Sequence, residues 1–270
     1  MMLVIFTDLD GSLLNHDDYS YADALPSLER IKKLKIPLIF TTSKTRAEIE
    51  PLQKEIGIKE PFIVENGAAV FFPEEYRNFQ LDFPKINGYR VIILGESYNY
   101  IRNFVKKVKD RFRIKGFGDM TAEEIAHLTD LPLEKARLAK IREFTEPFII
   151  ENPQLLPQLE KETEKHNLKI TKGGRFYHLI GKGQDKGKAV KITADIFRKY
   201  LKNIKTVGIG DSKNDIPMLR VVDIPVLIPK INKQYEEINL PGLIKADYPG
   251  SKGWNQVVWR ILNEYESLSH

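Results

Sequence analysis

The sequence contains no cysteine. Disulfides, thiolate metal sites, iron–sulfur clusters and a cysteine nucleophile are thereby excluded from its chemistry. No apolar run approaches the ~18 residues that a membrane-spanning helix needs. The apolar stretch at its start, Leu3 to Phe6, is too short for a signal-peptide core and has no basic segment before it. A soluble, cytoplasmic protein with no membrane partner is expected. Tryptophan and methionine are scarce, at 2 and 4 residues, but 42% of the chain is hydrophobic, which is far too apolar for a disordered protein. At 270 residues the chain can bury a large core, as one domain or as two unequal ones. No tract of one charge stands out. Lys and Arg number 42 against 37 Asp and Glu, a net +5 spread along the chain, which suits an anionic small molecule and gives no sign of nucleic acid.

The order of elements is legible from periodicity. Leu3–Leu9 reads as a buried strand ending in acidic residues and Gly11, and Ala22–Leu34 has helical spacing. Ile36–Thr41 is a second strand, and Ala47–Ile56 a helix stopped by Gly57. Phe62–Glu65 and Ala69–Phe72 follow as strands around a tight Asn66–Gly67 turn. After Pro84 the rhythm changes to an open mixture of helices and strands. It includes a strand at Val91–Leu94 and a hairpin, Leu168–Thr171 with Phe176–Ile180, turning at Gly173–Gly174. From Lys186 the strand–helix alternation returns. The expected fold is α/β: a doubly wound, Rossmann-like parallel sheet built from residues 1–83 and 182–270, with a second α/β domain inserted at 84–181.

Acidic residues cluster where such a sheet binds ligands, at the carboxyl ends of its strands. Asp8 and Asp10 follow the first strand in Asp8-Leu9-Asp10-Gly11-Ser12, and alternate residues of an extended segment face one side. An acidic surface turn is the plain reading of that pair alone. A second cluster, Gly210-Asp211-Ser212-Lys213-Asn214-Asp215, follows a later strand, where Asp215 alone could simply cap a helix. Two strand ends delivering carboxylates to one place build an oxygen-rich pocket suited to Mg2+. Thr42 and Ser43 lie after the second strand, where hydroxyls and backbone N–H groups hold phosphate or cap a helix. Lys186 precedes a helix and can set an ammonium on a phosphate oxygen, although most lysines are merely solvated.

In this order, the four stretches resemble the motifs of the haloacid dehalogenase-like phosphatases, with Ser12 where that family often has Thr. The insert between the second and third motifs resembles the branch with an α/β cap. Thr42-Ser43-Lys44-Thr45-Arg46-Ala47-Glu48, Pro61-Phe62-Ile63-Val64-Glu65-Asn66-Gly67 and Gly173-Gly174-Arg175-Phe176-Tyr177-His178-Leu179 are similar to the signatures of mannosyl-3-phosphoglycerate phosphatases. The resemblance implies that Asp8 is a nucleophile forming an aspartyl-phosphate and that Asp10 is the general acid and base. It implies a Mg2+ cofactor held by Asp8, Asp10 through its carbonyl, Asp211 and Asp215. Phosphate would be bound by Thr42 or Ser43 together with Lys186. The rest of an anionic sugar-phosphate substrate would be read by Lys44, Arg46, Glu65, Asn66, Arg175 and His178. A surface turn for Arg175 and a plain strand position for His178 are the rival readings. A phosphomutase on the same scaffold and a receiver-like phospho-acceptor are the rival functions.

Overall fold

The computed structural model describes residues 1–173 and 175–267. Its centre is β1 (Met2–Thr7), whose alternating side chains serve two cores: Leu3 and Ile5 point to one face of a sheet, Val4 and Phe6 to the other. The chain continues through α1 (Leu25–Lys33), β2 (Leu38–Thr41), α2 (Arg46–Ile56), β3 (Phe62–Val64), β4 (Ala69–Pro73), β5 (Lys85–Ile86) and β6 (Tyr89–Ile93). A second domain follows, with α3 (Tyr98–Phe112), β7 (Ile114–Gly116), α4 (Ala122–Thr129), α5 (Leu133–Lys140), β8 (Glu146–Ile150), α6 (Leu156–Glu164), β9 (Leu168–Lys172) and β10 (Tyr177–Gly181). The return to the first domain supplies α7 (Lys186–Leu201), β11 (Ile204–Gly210), α8 (Ile216–Leu219), β12 (Ile224–Leu227), β13 (Ile244–Lys245) and α9 (Gly250–Ser267).

The large sheet has the order β13-β12-β11-β1-β2-β3-β4-β6-β5. From β13 to β3 the neighbours run parallel, and β4, β6 and β5 add antiparallel pairs at one edge. The strands are apolar on both sides because helices cover both faces. On one face, α1, α2 and α9 bring Leu28, Ile49, Trp254 and Val258. On the other, α7 and α8 bring Val190, Phe197 and Met218. From β1 the chain winds one way through β2 and β3, and later the other way through β11, β12 and β13. The reversal lies between β1 and β11, and the crevice at their carboxyl ends is where a sheet of this winding binds its ligand.

The second sheet is antiparallel in the order β7-β8-β10-β9, with α3 and α6 packed on one face through Ile101, Val105, Phe112 and Leu159. Its hairpin partners β9 and β10 pair as expected; of the two turn glycines, Gly174 lies outside the described residues. One expected boundary moves. The segment 85–93, assigned from sequence to the insert, extends the large sheet instead, with Val91 opposite Phe71 and Tyr89 packed edge-on to Phe62 and Phe71. Burial of that aromatic cluster holds the segment on β4, so the chain leaves the large sheet after Ile93 rather than near residue 84. No helix among the described residues is long and apolar enough to cross a membrane.

Candidate active site

Both acidic stretches meet at the reversal. Asp8 leaves the end of β1 and Asp211 the end of β11, and the two strands are direct neighbours with Thr7 opposite Ile209. The loop after β1 passes so close that a Cβ on Gly11 would lie 2.5 Å from an Asp211 carboxylate oxygen; at φ +82 the residue must also be one that tolerates a left-handed backbone. Carboxylate oxygens of Asp8, Asp211 and Asp215 all lie within 4.8 Å of one another, and all three residues are buried. Lys186, the first residue of α7, is set into this group by its helix start, where Asp185 caps the backbone N–H of Lys188. Its ammonium donates to Asp8 Oδ1 at 2.7 Å and to Asp215 Oδ1 at 2.6 Å. Asp215 Oδ2 accepts from the backbone N–H groups of Asp211 and Ser212, which ties the loop after β11 to the same centre.

The electrostatics of this knot follow from crowding. Burial, then the Asp215 charge, push the Asp8 carboxyl up to about 7, against the pull of Lys186. Burial and the charges of Asp215 and Asp8 likewise push Asp211 upward. Burial opposes the charge on Lys186, but Asp215 and Asp8 outweigh it and hold the ammonium protonated. Asp10 turns elsewhere. Its Oδ2 lies 3.1 Å from the ammonium of Lys44, which also pairs with Glu48 and stacks over the Tyr19 ring. Asp10 Oδ1 and Asp211 Oδ1 are buried and have no hydrogen-bond partner among the described residues. Three buried carboxylates drawn together, with Asp211 Oδ1 unpartnered among the described residues, give a hard divalent cation the oxygen donors it requires, so the donor set fits Mg2+.

A cavity of about 130 Å³ opens over Asp8 and Asp10. Ser43 and Lys44 border it from the sheet side, and Arg142, Arg175, Phe176 and His178 from the second domain. A wider groove of about 880 Å³ adjoins it at His16, Gly173, Asp211 and Ser212. Ser43 faces the cavity. Thr42 is buried, and its hydroxyl accepts from the backbone N–H of Lys44. Arg175 reaches the cavity rim, paired with Asp130. His178 is enclosed: burial first, then the positive charges of Arg142 and Lys186, push its imidazole down to about 3, so the ring is neutral.

Two expected substrate contacts, Glu65 and Arg46, are engaged in other pairings, and a third, Asn66, is buried with its Nδ2 unpartnered among the described residues. Glu65 is fully buried, and its carboxylate accepts from the backbone N–H groups of Glu143 and Phe144 and from the Thr145 hydroxyl while pairing with Arg142. It has no oxygen left for a ligand and instead fastens the second domain to the first. Arg46 does the same from outside the cavity, tied to Glu50 and to Glu143. Asn66 is buried and accepts from Asn214, which itself borders the cavity. Sequence reasoning missed Arg142 and Tyr19. Neither lies in a recognisable motif; Arg142 comes from the second domain, and Tyr19, beneath the Lys44 ammonium, ties its hydroxyl to Thr129 O of that domain.

Residues 5–238 match the family model described as haloacid dehalogenase-like hydrolase. The chain belongs to this hydrolase family. A glucosyl-3-phosphoglycerate/mannosyl-3-phosphoglycerate phosphatase of Persephonella marina is 65% identical over 98% of each chain. One with the same name from Methanococcoides burtonii is 40% identical over 99% of this chain and all of its own. Among solved structures, a protein of Thermoplasma acidophilum superposes with a TM-score of 0.69 at 20% identity, covering 96% of this chain and 98% of its own. That likeness concerns the fold. With its nearly full-length relatives, this hydrolase is a phosphatase, and the crevice at the strand reversal is where its chemistry is to be sought.

Proposed function

We propose that the protein is a Mg2+-dependent phosphatase of sugar-linked 3-phosphoglycerates, releasing phosphate from mannosyl-3-phosphoglycerate and its glucosyl counterpart. The reading is carried by one observation: Asp8, Asp211, Asp215 and Lys186 converge under a cavity bordered by Ser43 and by the cationic side chains of Lys44 and Arg175. A phosphate ester that also carries a carboxylate offers a second anionic group to those cations. The names of the full-length relatives support the substrate class.

Asp8, Asp211 and the backbone carbonyl of Asp10, with Asp215 in support, would hold the cation. Bound there, Mg2+ supplies Lewis-acid stabilisation of the phosphoryl charge and offsets the repulsion between that charge and the carboxylates. A carboxylate oxygen of Asp8 attacks phosphorus; the bond from phosphorus to the ester oxygen breaks as the bond to Asp8 forms, giving an aspartyl-phosphate. Asp10 delivers a proton to the departing sugar-glycerate oxygen. It then takes a proton from the water that attacks phosphorus, releasing phosphate and restoring Asp8. Ser43 and Lys186 hold the non-bridging oxygens through both steps, and Lys186 also keeps Asp8 aimed. The second domain covers the cavity and excludes bulk water, with Arg175 and neutral His178 facing the glycerate and sugar.

Assay of a panel of phosphate esters with Mg2+, including both sugar-linked 3-phosphoglycerates, sucrose phosphate and p-nitrophenyl phosphate, tests the reading. The sugar-phosphoglycerates should give the highest kcat/KM, with inorganic phosphate as product and no need for a bisphosphate activator. Preference for a sugar phosphate without a carboxylate would refute the substrate class. A strict need for a bisphosphate would favour a mutase.

A further inference from the structure

Three successive carbonyls in the loop after β2 each accept a hydrogen bond. Thr42 O accepts from the backbone N–H of Asn66 at 2.9 Å, and Lys44 O from the backbone N–H of Glu65 at 3.0 Å. These two come from the turn after β3, inside the same domain. The carbonyl between them, Ser43 O, accepts from Arg142 Nη2 at 3.1 Å, and Arg142 belongs to the inserted domain. The guanidinium is itself fixed: Nε donates to Thr145 O and lies 3.3 Å from Glu65 Oε2, and Nη2 also donates to the Thr145 hydroxyl. The Arg142 side chain is 3% exposed.

We propose that Arg142 is a positioning residue through which the inserted domain sets the Ser43–Lys44 peptide, and with it the Ser43 hydroxyl, for phosphoryl binding. This rests on the reading that Ser43 binds the phosphoryl group. The same peptide is gripped from both ends, its C=O by Arg142 and its N–H by the Thr42 hydroxyl at 3.1 Å. A peptide held at both ends cannot flip, so the neighbouring hydroxyl is presented to the cavity without reorganisation when substrate arrives. Docking of the second domain then does more than shield the site: it completes the phosphate pocket of the first.

The test uses the full-length protein and p-nitrophenyl phosphate, whose leaving group needs no recognition by the second domain, beside the best substrate from the panel. Arg142→Ala should lower kcat about ten- to hundredfold on both esters alike and weaken inhibition by inorganic phosphate in parallel, as expected for a lost charge-assisted hydrogen bond. Millimolar guanidinium should restore part of the activity through the cavity that Arg142 borders. Thr42→Val, which frees the other end of the peptide, should reproduce the loss on both esters, and it serves if Arg142→Ala fails to fold. A loss confined to the sugar ester would make Arg142 a leaving-group contact and overturn the proposal. Lowered Tm with unchanged kcat would overturn it in favour of a purely structural tie. Ser43→Ala separates the two levels. If it leaves phosphate inhibition unchanged, the Ser43 reading falls; if it weakens inhibition while Arg142→Ala and Thr42→Val do not, only the present proposal falls.

Discussion

Lys44 Nζ and Asp10 Oδ2 lie 3.1 Å apart, so the side chain proposed to carry the proton to the leaving group is paired with a cation at the rim of the cavity. A substrate carboxylate entering the cavity competes for that ammonium. The Lys44→Met variant should therefore lose about ten- to hundredfold in kcat/KM on a sugar-linked phosphoglycerate, and much less on p-nitrophenyl phosphate. Equal losses on the two esters would place Lys44 outside carboxylate recognition.

The turn after β3 should tolerate no added side chain. Glu65, Asn66 and Gly67 have φ values of +49, +62 and +84, and a Cβ on Gly67 would lie 2.2 Å from the carbonyl oxygen of Asp185, next to Lys186. Gly67→Ala adds left-handed strain to a clash with backbone that cannot easily move. Its cost is on the order of 2–4 kcal/mol, with a fall in kcat as Lys186 is displaced. Chemical denaturation and steady-state kinetics measure the two effects. An unchanged midpoint would show that the turn can give way at Asp185.

Stability should fall on acidification partly because of His178. Its imidazole is held at about 3, below the ordinary 6.5, by burial and by Arg142 and Lys186. Between these values the unfolded chain binds a proton that the folded chain does not, so stability is fully present above about pH 6.5 and declines as pH falls toward 3. The slope from this one group approaches about 1.4 kcal/mol per pH unit. A His178→Gln variant should show a shallower decline in urea-unfolding free energy between pH 6 and pH 4, and an identical slope would contradict the assignment.

Divalent cation should stabilise the fold as well as support activity. Asp8, Asp211 and Asp215 are buried together, and among the described residues Lys186 is the one cation paired with them, so a cation that binds the folded state alone shifts the equilibrium by about 2.7 kcal/mol at a hundredfold excess over its Kd. Thermal unfolding with Mg2+ against chelator should show a rise of several degrees that Asp211→Asn largely abolishes. No rise in the wild type would mean that the carboxylates do not hold the ion.

The parts of the site carried by strand ends were legible in the sequence. Asp8, Asp211, Asp215 and Lys186 each follow a strand or open a helix, and the rule that parallel sheets bind ligands at the carboxyl ends of their strands brings such positions together. What could not be read was the seam between the domains. Glu65 and Arg46 look like ligands in a polar motif, yet both hold residues 142–145, because a buried carboxylate takes whatever donors the folded chain supplies. Arg142 gave no local signal, since its partners Ser43 and Glu65 are far away in sequence. The boundary after Ile93 escaped for a related reason. A strand's apolar alternation names the face that it buries but not the sheet it joins, and only the packing of Tyr89 on Phe62 and Phe71 decides that.

The claim that Asp8 accepts the phosphoryl group is tested most directly by rapid quenching of a single turnover in acid, followed by mass spectrometry of the N-terminal peptide. A transient, hydroxylamine-labile phosphoryl group should appear on Asp8, together with a fall in activity of several orders of magnitude in a folded Asp8→Asn variant. Wild-type turnover by Asp8→Asn, with no phosphorylated peptide at any quench time, would contradict it.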